Sequence, residues 1–330
     1  MNKPTTFVLS LIGILSIFIG VSTLATSTAH AATQNSGEAL EIGPPVLDLT
    51  GDPGQTVTAN ISIRDVSSTN QVVTGIVNDF TASGEDGTPK IITDTSVTTP
   101  YSLRTWIPPF APLTLKPRQI VVLPVKIIIP NNAVPGGHFG VVRFTATAPG
   151  LSGSGVSLSA SLGALVLLRV SGTVKENISV AEFSANNGGS ASSLFEATPI
   201  TFVDRLNNTG NAYEQPSGSV AVTDMFNQPV VTLGVNQPPH NILPQSIRKF
   251  TQVMDSSSLG NKVLFGRYHA VLTVKYGNNQ TTTSDFYFWV IPYQIIGLAI
   301  LILIGGFIGL RFLIIRYNRA IVARATKQKK

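Results

Sequence analysis

Thr56-Val57-Thr58-Ala59-Asn60-Ile61-Ser62-Ile63-Arg64 decides how the middle of this chain is read. Val57, Ala59, Ile61 and Ile63 alternate with Thr58, Asn60, Ser62 and Arg64. A period of two places one face on a core and the other in water, as a half-buried strand requires. Outward from this stretch, little helical periodicity is found between residues 38 and 288. Short runs rich in Val, Ile, Thr and Phe follow at Ile120–Ile129, Phe139–Thr147, Val156–Val170, Val174–Phe183, Thr198–Leu206, Ser219–Thr223, Val230–Val235, Ile247–Val253, Tyr268–Tyr276 and Thr281–Val290. Pro124 and Lys126 interrupt the first of these, which suits a bulge or a sheet edge. Turn residues punctuate the runs at Asp52-Pro53-Gly54, Gly84-Glu85-Asp86-Gly87, Pro135-Gly136-Gly137 and Asn207-Asn208-Thr209-Gly210-Asn211. Many short strands at such spacing predict sandwiches, not a parallel sheet with crossover helices.

A weak internal repeat points to two copies of one unit. Gly137-His138-Phe139-Gly140-Val141-Val142 matches Gly266-Arg267-Tyr268-His269-Ala270-Val271 as G-x-aromatic-x-small-V. A Pro-containing turn and a strand precede each copy, at Lys116-Pro117 and at Leu243-Pro244. The match assigns Tyr268 a hydrogen-bonded corner and Phe139 a corner held by packing alone. The expected fold class is all-β: two tandem immunoglobulin-like β-sandwich domains, residues 38–171 and 172–287, followed by a single transmembrane α-helix. Asn186–Ser193 reads as a flexible loop inside the second unit.

The two ends fix the expected compartment. Residues 1–31 form a signal peptide, with Lys3, a 15-residue apolar run from Phe7 to Val21 and a small-x-small site at Ala29-His30-Ala31. An uncleaved anchor is the alternative, but the run is short for a span. Phe288–Leu310 is a second, 23-residue stretch without a charge, long enough to cross a bilayer. Trp289 and Tyr293 are placed at its outer interface, Arg311 and Arg316 at its inner one. Gly305 and Gly309 make a GxxxG pair, which offers weak self-association through the helix or is ordinary membrane glycine. Residues 311–330 carry seven of the 23 basic residues and no acid. The positive-inside rule makes them a cytoplasmic tail and leaves the bulk outside. Residues 32–310 hold 15 basic and 17 acidic residues, so the net charge of +6 belongs to the tail and not to a nucleic-acid surface.

Composition narrows the chemistry. Charged residues make up 12%, about half the share of a soluble domain. The chain has no Cys, so disulfides, thiolate metal sites and a Cys nucleophile are excluded. His138, His240 and His269 have no partner in sequence, and neither G-x-S-x-G nor H-E-x-x-H occurs. No catalytic residue, metal or cofactor is expected. The acidic turn Gly84–Gly87 lacks the alternating ligands of a calcium loop and reads as a solvated hairpin. Trp106-Ile107-Pro108-Pro109-Phe110 is more suggestive. Trp106 and Phe110 either line a groove for glycan or peptide or plug the end of a sandwich, which is the commoner use of such residues.

Gly43-Pro44-Pro45, Asp52-Pro53-Gly54-Gln55-Thr56-Val57 and Pro135–Gly140, extended by Asn208–Asn211, Leu264–Tyr268 and Phe288–Pro292, resemble bacterial surface proteins with two immunoglobulin-like domains and a C-terminal anchor. In layout the chain is similar to the WxL-interacting protein family of Gram-positive bacteria. That resemblance implies one module that binds peptidoglycan and one that holds another surface protein; it carries no binding residue over. Three functions follow from the sequence: a non-enzymatic membrane-anchored binder of cell-wall polymer or of another surface protein, an accessory subunit of a larger membrane assembly, and a wall hydrolase with a hidden site.

Overall fold

The computed structural model describes residues 40–147, 161–260 and 262–327. The expected signal peptide, the first residues of the Val156–Val170 run and the last three of the tail lie outside them.

Among the described residues nine strands build the N-terminal half: β1 (Leu40–Gly43), β2 (Val46–Gly51), β3 (Thr56–Asp65), β4 (Gln71–Ser83), β5 (Thr88–Ile92), β6 (Leu113–Leu115), β7 (Ile120–Ile128), β8 (Gly136–Thr147) and β9 (Ser161–Val170). They form a three-stranded sheet, β1-β3-β7, and a larger sheet, β2-β9-β8-β4-β5, with β6 also paired to β4. The alternation of 56–64 is realised as expected: Ile61 and Ile63 are buried while Thr58, Asn60 and Arg64 are exposed. The inward residues of both sheets meet in one core that includes Ile61, Ile63, Val125, Ile127, Val142, Phe144 and Leu168.

Nine more strands build the C-terminal half: β10 (Ile178–Asn187), β11 (Ser190–Ala191), β12 (Leu194–Phe195), β13 (Ile200–Asn208), β14 (Ser217–Thr223), β15 (Pro229–Val235), β16 (Ser246–Met254), β17 (Gly266–Tyr276) and β18 (Gln280–Val290). Here the sheets are β11-β10-β13-β16 and β12-β18-β17-β14-β15. A separate core includes Phe202, Leu206, Val220, Leu272 and Phe288. Asn186–Ser193 is a tight hairpin, with Asn187 opposite Ser190, where the sequence reading put a flexible loop.

The two halves share one strand plan. In each, the leading strand pairs antiparallel with the next long strand (β1 with β3, β10 with β13). The chain then crosses over, and a following strand pairs parallel with the last one (β2 with β9, β12 with β18). The strand before the last also starts alike. Gly136 faces Val170 and Gly266 faces Val290, both glycines with positive φ that an L side chain rarely adopts. This register corrects the sequence match by one residue. His138, not Phe139, occupies the place of Tyr268. A slip of one residue in a strand reverses the face, and Tyr268 accordingly joins its core while Phe139 points away from its own.

Among the described residues one α-helix, α1 (Tyr293–Lys327), follows β18. Within it Tyr293–Arg319 is long and apolar enough to cross a membrane, and the window that qualifies has no buried residue. The sequence reading started this span at Phe288. That start is corrected, because Phe288 and Val290 are fully buried in β18 and belong to a protein core. The charge-free part of the helix, Tyr293–Leu310, rises about 27 Å, close to the roughly 30 Å of a hydrocarbon core.

Candidate functional site

Phe139, Val141, Phe80 and Leu167 point outward from the larger N-terminal sheet and pack with Tyr213 of the C-terminal half in a third apolar cluster. Phe139 lies 6.1 Å from Phe80, 5.8 Å from Tyr101 and 6.0 Å from Tyr213 between ring centroids. Polar bonds rim this seam. The Tyr213 hydroxyl donates to Asp48, and Gly137 N donates to Asn211 O at 2.8 Å. Asn211 Nδ2 donates to Pro135 O at 3.0 Å. Burial and the Asp48 carboxylate hold the Tyr213 phenol well above its usual range, so it stays a donor.

The acidic turn docks here too. Glu85 Oε2 accepts from Arg205 Nε of β13 at 2.7 Å, and Glu85 O accepts from Lys249 N of β16 at 2.8 Å. The Arg248 guanidinium lies against Gly87. The solvated hairpin expected from sequence is instead a clasp onto the other half. Arg205 also pairs with Glu182, so one guanidinium joins two strands of its own sheet to the turn.

Between the seam and the clasp is a cavity of about 470 Å³. The N-terminal half lines it with Val46, Phe80, Leu165 and Leu167 beside the Asp48 carboxylate, and the C-terminal half with His240, Asn241 and Arg248 beside Pro239 and Leu243. A second hollow of about 240 Å³ shares His240 and Arg248. The loop bearing His240 is braced by Asn236: its Nδ2 donates to His240 O at 2.9 Å and its Oδ1 accepts from His240 N at 2.9 Å. Arg248 Nη1 donates to Asn241 O at 2.8 Å. Burial lowers the Arg248 pKa, opposed by the Asp86 charge. An apolar wall facing a few fixed donors is the usual make-up of a small-ligand or side-chain pocket. Among the described residues no group of three His, Asp or Glu is placed to hold a metal ion.

Trp106 and Phe110 are outside this cavity. Asp79 of β4 accepts from Leu103 N and Arg104 N, both at 2.9 Å, and so fixes the short 3₁₀ turn Arg104–Trp106. Trp106 then covers His138 at 4.3 Å and Phe110 covers Phe144 at 5.7 Å. Both are half-buried against the N-terminal core. Gly75 lets Phe110 in, since a Cβ there would meet its ring at 2.9 Å. His138, unpartnered in sequence, is buried with Nε2 2.9 Å from Val134 O and Nδ1 3.3 Å from Ser102 O. Tyr268 does the matching work in the other half, where its hydroxyl accepts from Phe265 N at 3.0 Å.

Trp289 is on the outward face of β18, half-exposed, beside Leu194 of β12. Tyr293 opens α1, and Gly305, Gly309, Arg311 and Arg316 follow along it, all exposed. No atom beyond the helix backbone comes within 4 Å of the Cβ position of Gly305 or Gly309. The sequence brings none of the seam, clasp or cavity residues together. The signals that exist are the unexplained apolar residues on the outward side of β8 and β9, namely Phe139, Val141, Leu165 and Leu167.

No family model matches the chain, and no curated protein does. Solved structures with a loose likeness include the class 5 fimbriae chaperone CfaA (15% identity, TM-score 0.38, 74% of this chain and 98% of that one). The YadV chaperone aligns at 10% identity with a TM-score of 0.34, over 76% of this chain and 100% of that one. A protein of unknown function from Porphyromonas gingivalis W83 aligns at 11% identity and a TM-score of 0.30, over 77% of this chain and 100% of that one. At these scores the likeness defines neither family nor partner.

Proposed function

We propose that the chain is a non-enzymatic, membrane-anchored surface protein. Its two extracytoplasmic sandwiches hold a cell-wall polymer such as peptidoglycan, or a segment of another surface protein, in the cleft between them. The observation that carries this reading is the cleft itself: a cavity of about 470 Å³ lined by both halves, in which apolar side chains stand opposite fixed polar groups. A seam and a clasp on either side keep the walls apart at a fixed spacing, which lowers the ordering cost of binding. The apolar helix supports attachment to membrane lipid, with the basic tail inside and the bulk outside.

The test is capture by the full chain in mild detergent, from isolated sacculi and from envelope extracts. Val46→Arg and His240→Glu, both on exposed rim positions, are expected to abolish capture; Thr58→Glu, on the outer face of β3, is not. Retention on sacculi identifies a polymer ligand. Enrichment of one protein without sacculus retention identifies a protein ligand and favours the accessory-subunit role. Capture that survives both rim variants removes the cleft from the account.

A further inference from the structure

The C-terminal half has no linker to its helix. β18 ends at Val290 and α1 begins at Tyr293. Only Ile291 and Pro292 lie between, and Ile291 N is tied to Phe195 O at 2.8 Å. Two extended residues reach about 7 Å, no more than one headgroup layer of roughly 5–8 Å. The end of the sandwich that releases α1 must therefore meet whatever surface α1 penetrates.

The register shows what else is at that end. Gly266 and Phe195 both sit beside Val290, and Thr223 is opposite His269 near the start of β17. The turn Asp224–Gln228 and the stretch Lys262–Phe265 thus flank the base of the helix. Met225 lies against Gly266 and joins the two. Their apolar side chains face outward: Phe226 is 74% exposed, Val263 78% and Phe265 59%. Among the described residues before α1, the exposed aromatics are Phe226 and Phe265 and the half-exposed Tyr287 and Trp289, and all four belong to this end. The turn is not slack. Asp224 Oδ1 accepts from Phe226 N at 2.9 Å and from Gln228 N at 2.8 Å, which fixes Phe226 outward. Exposed Lys262 and Arg267 flank the stretch with positive charge, while Asp224 in the turn and Glu196 beside Tyr293 supply carboxylates at the same end. Aromatic and aliphatic tips beside cations are the composition of a lipid interface.

We propose that this end is a bilayer-binding surface. Phe226, Val263 and Phe265 dip into the headgroup–acyl boundary of the phospholipid membrane that α1 enters, and the C-terminal half rests on the lipid instead of swinging above it. The inference depends on α1 spanning the membrane and adds a second, independent contact with the same bilayer.

The absence of Cys makes single labels unambiguous. The full chain carrying Phe226→Cys, Val263→Cys, Thr281→Cys or Ile302→Cys, each labelled with bimane, is reconstituted in phosphatidylcholine–phosphatidylglycerol vesicles containing brominated lipid. Labels at 226 and 263 are expected to be quenched at least roughly half as strongly as at 302. The label at 281, at the far end of β18, is expected to stay bright. Quenching at 302 with none at 226 or 263 overturns the surface and leaves the anchor standing. No quenching at 302 overturns both. Protection of 226 and 263 that grows with protein-to-lipid ratio, without bromine quenching, assigns the patch to a second copy and also overturns it.

Discussion

Asp204 points inward from β13 among the side chains of a hydrophobic core, fully buried, with the Gln252 side chain of β16 as a polar neighbour that only partly offsets the burial. Burial raises its pKa from 3.8 to about 6. The folded carboxyl therefore keeps its proton to a higher pH than the unfolded one. The sign follows: this group destabilises the fold progressively as pH rises from about 4 to about 6, and the loss is complete above that. At 1.36 kcal/mol per unit the effect is on the order of 2–3 kcal/mol. Asp204→Asn is expected to raise stability at pH 7.5 by about that amount and to change it little at pH 4. Urea unfolding of the detergent-solubilised chain at both pH values checks this; an unchanged pH slope in the variant defeats it. Tyr268 is the other residue with a clear cost. Its hydroxyl bond to Phe265 predicts a loss of about 1 kcal/mol for Tyr268→Phe, read from the same unfolding curves. The corner role of Tyr268 was legible because a Tyr after a turn glycine needs a partner for its hydroxyl. That of His138 was not: G-x-aromatic spacing selects Phe139, and only the strand register separates the two faces.

At the scale of elements, strand period and turn residues located most of the long strands, because alternation and Gly/Pro punctuation are local signals. The 13-residue β4 escaped because its buried positions include Gln71, Asn78 and Asp79, which break an apolar count. The span start was misread for a related reason: hydropathy cannot tell a strand buried by protein from a helix buried by lipid. Phe288–Pro292 joined the apolar run although its first residues complete a sheet. The acidic turn was misread because its partners, Arg205 and Lys249, are more than a hundred residues away. Reversing the Glu85–Arg205 pair is the check on the clasp. Glu85→Arg should broaden the distance distribution between spin labels at positions 58 and 281, and Arg205→Glu with Glu182→Arg on top of it, which reverses the whole network, should narrow the distribution again. A distribution untouched by Glu85→Arg removes the clasp from the account. The Trp106 loop predicts the opposite separation of effects. Trp106 is half-buried over His138, so Trp106→Ala should cost roughly 2–3 kcal/mol, below the 3–5 of a fully buried ring. Capture of sacculi or protein should be unchanged once the variant is folded. Lost capture at full stability would make the loop a binding site instead of a plug.

For the whole molecule, the proposed attachment and the proposed recognition fall at opposite ends of the C-terminal half. The tight Ile291–Pro292 junction and the exposed tips around it lie at one end. Tyr213, Asn241 and Arg248, which meet the N-terminal half and line its cleft, lie at the other. The arrangement makes a prediction about topology that no single residue makes. Impermeant maleimide added to intact cells should label Thr58→Cys and Thr281→Cys, and should label Lys329→Cys only after the membrane is opened, because the positive-inside rule assigns an end with seven cations to the cytoplasmic side. Removing residues 293–330 should move the labelled chain from the membrane to the soluble fraction, since the apolar tips alone bury far less than a helix that crosses the bilayer. If the truncated chain stays with the membrane in high salt, the tips and not α1 are the main attachment. If Lys329→Cys is labelled on intact cells, the orientation is reversed and the cleft faces the cytoplasm.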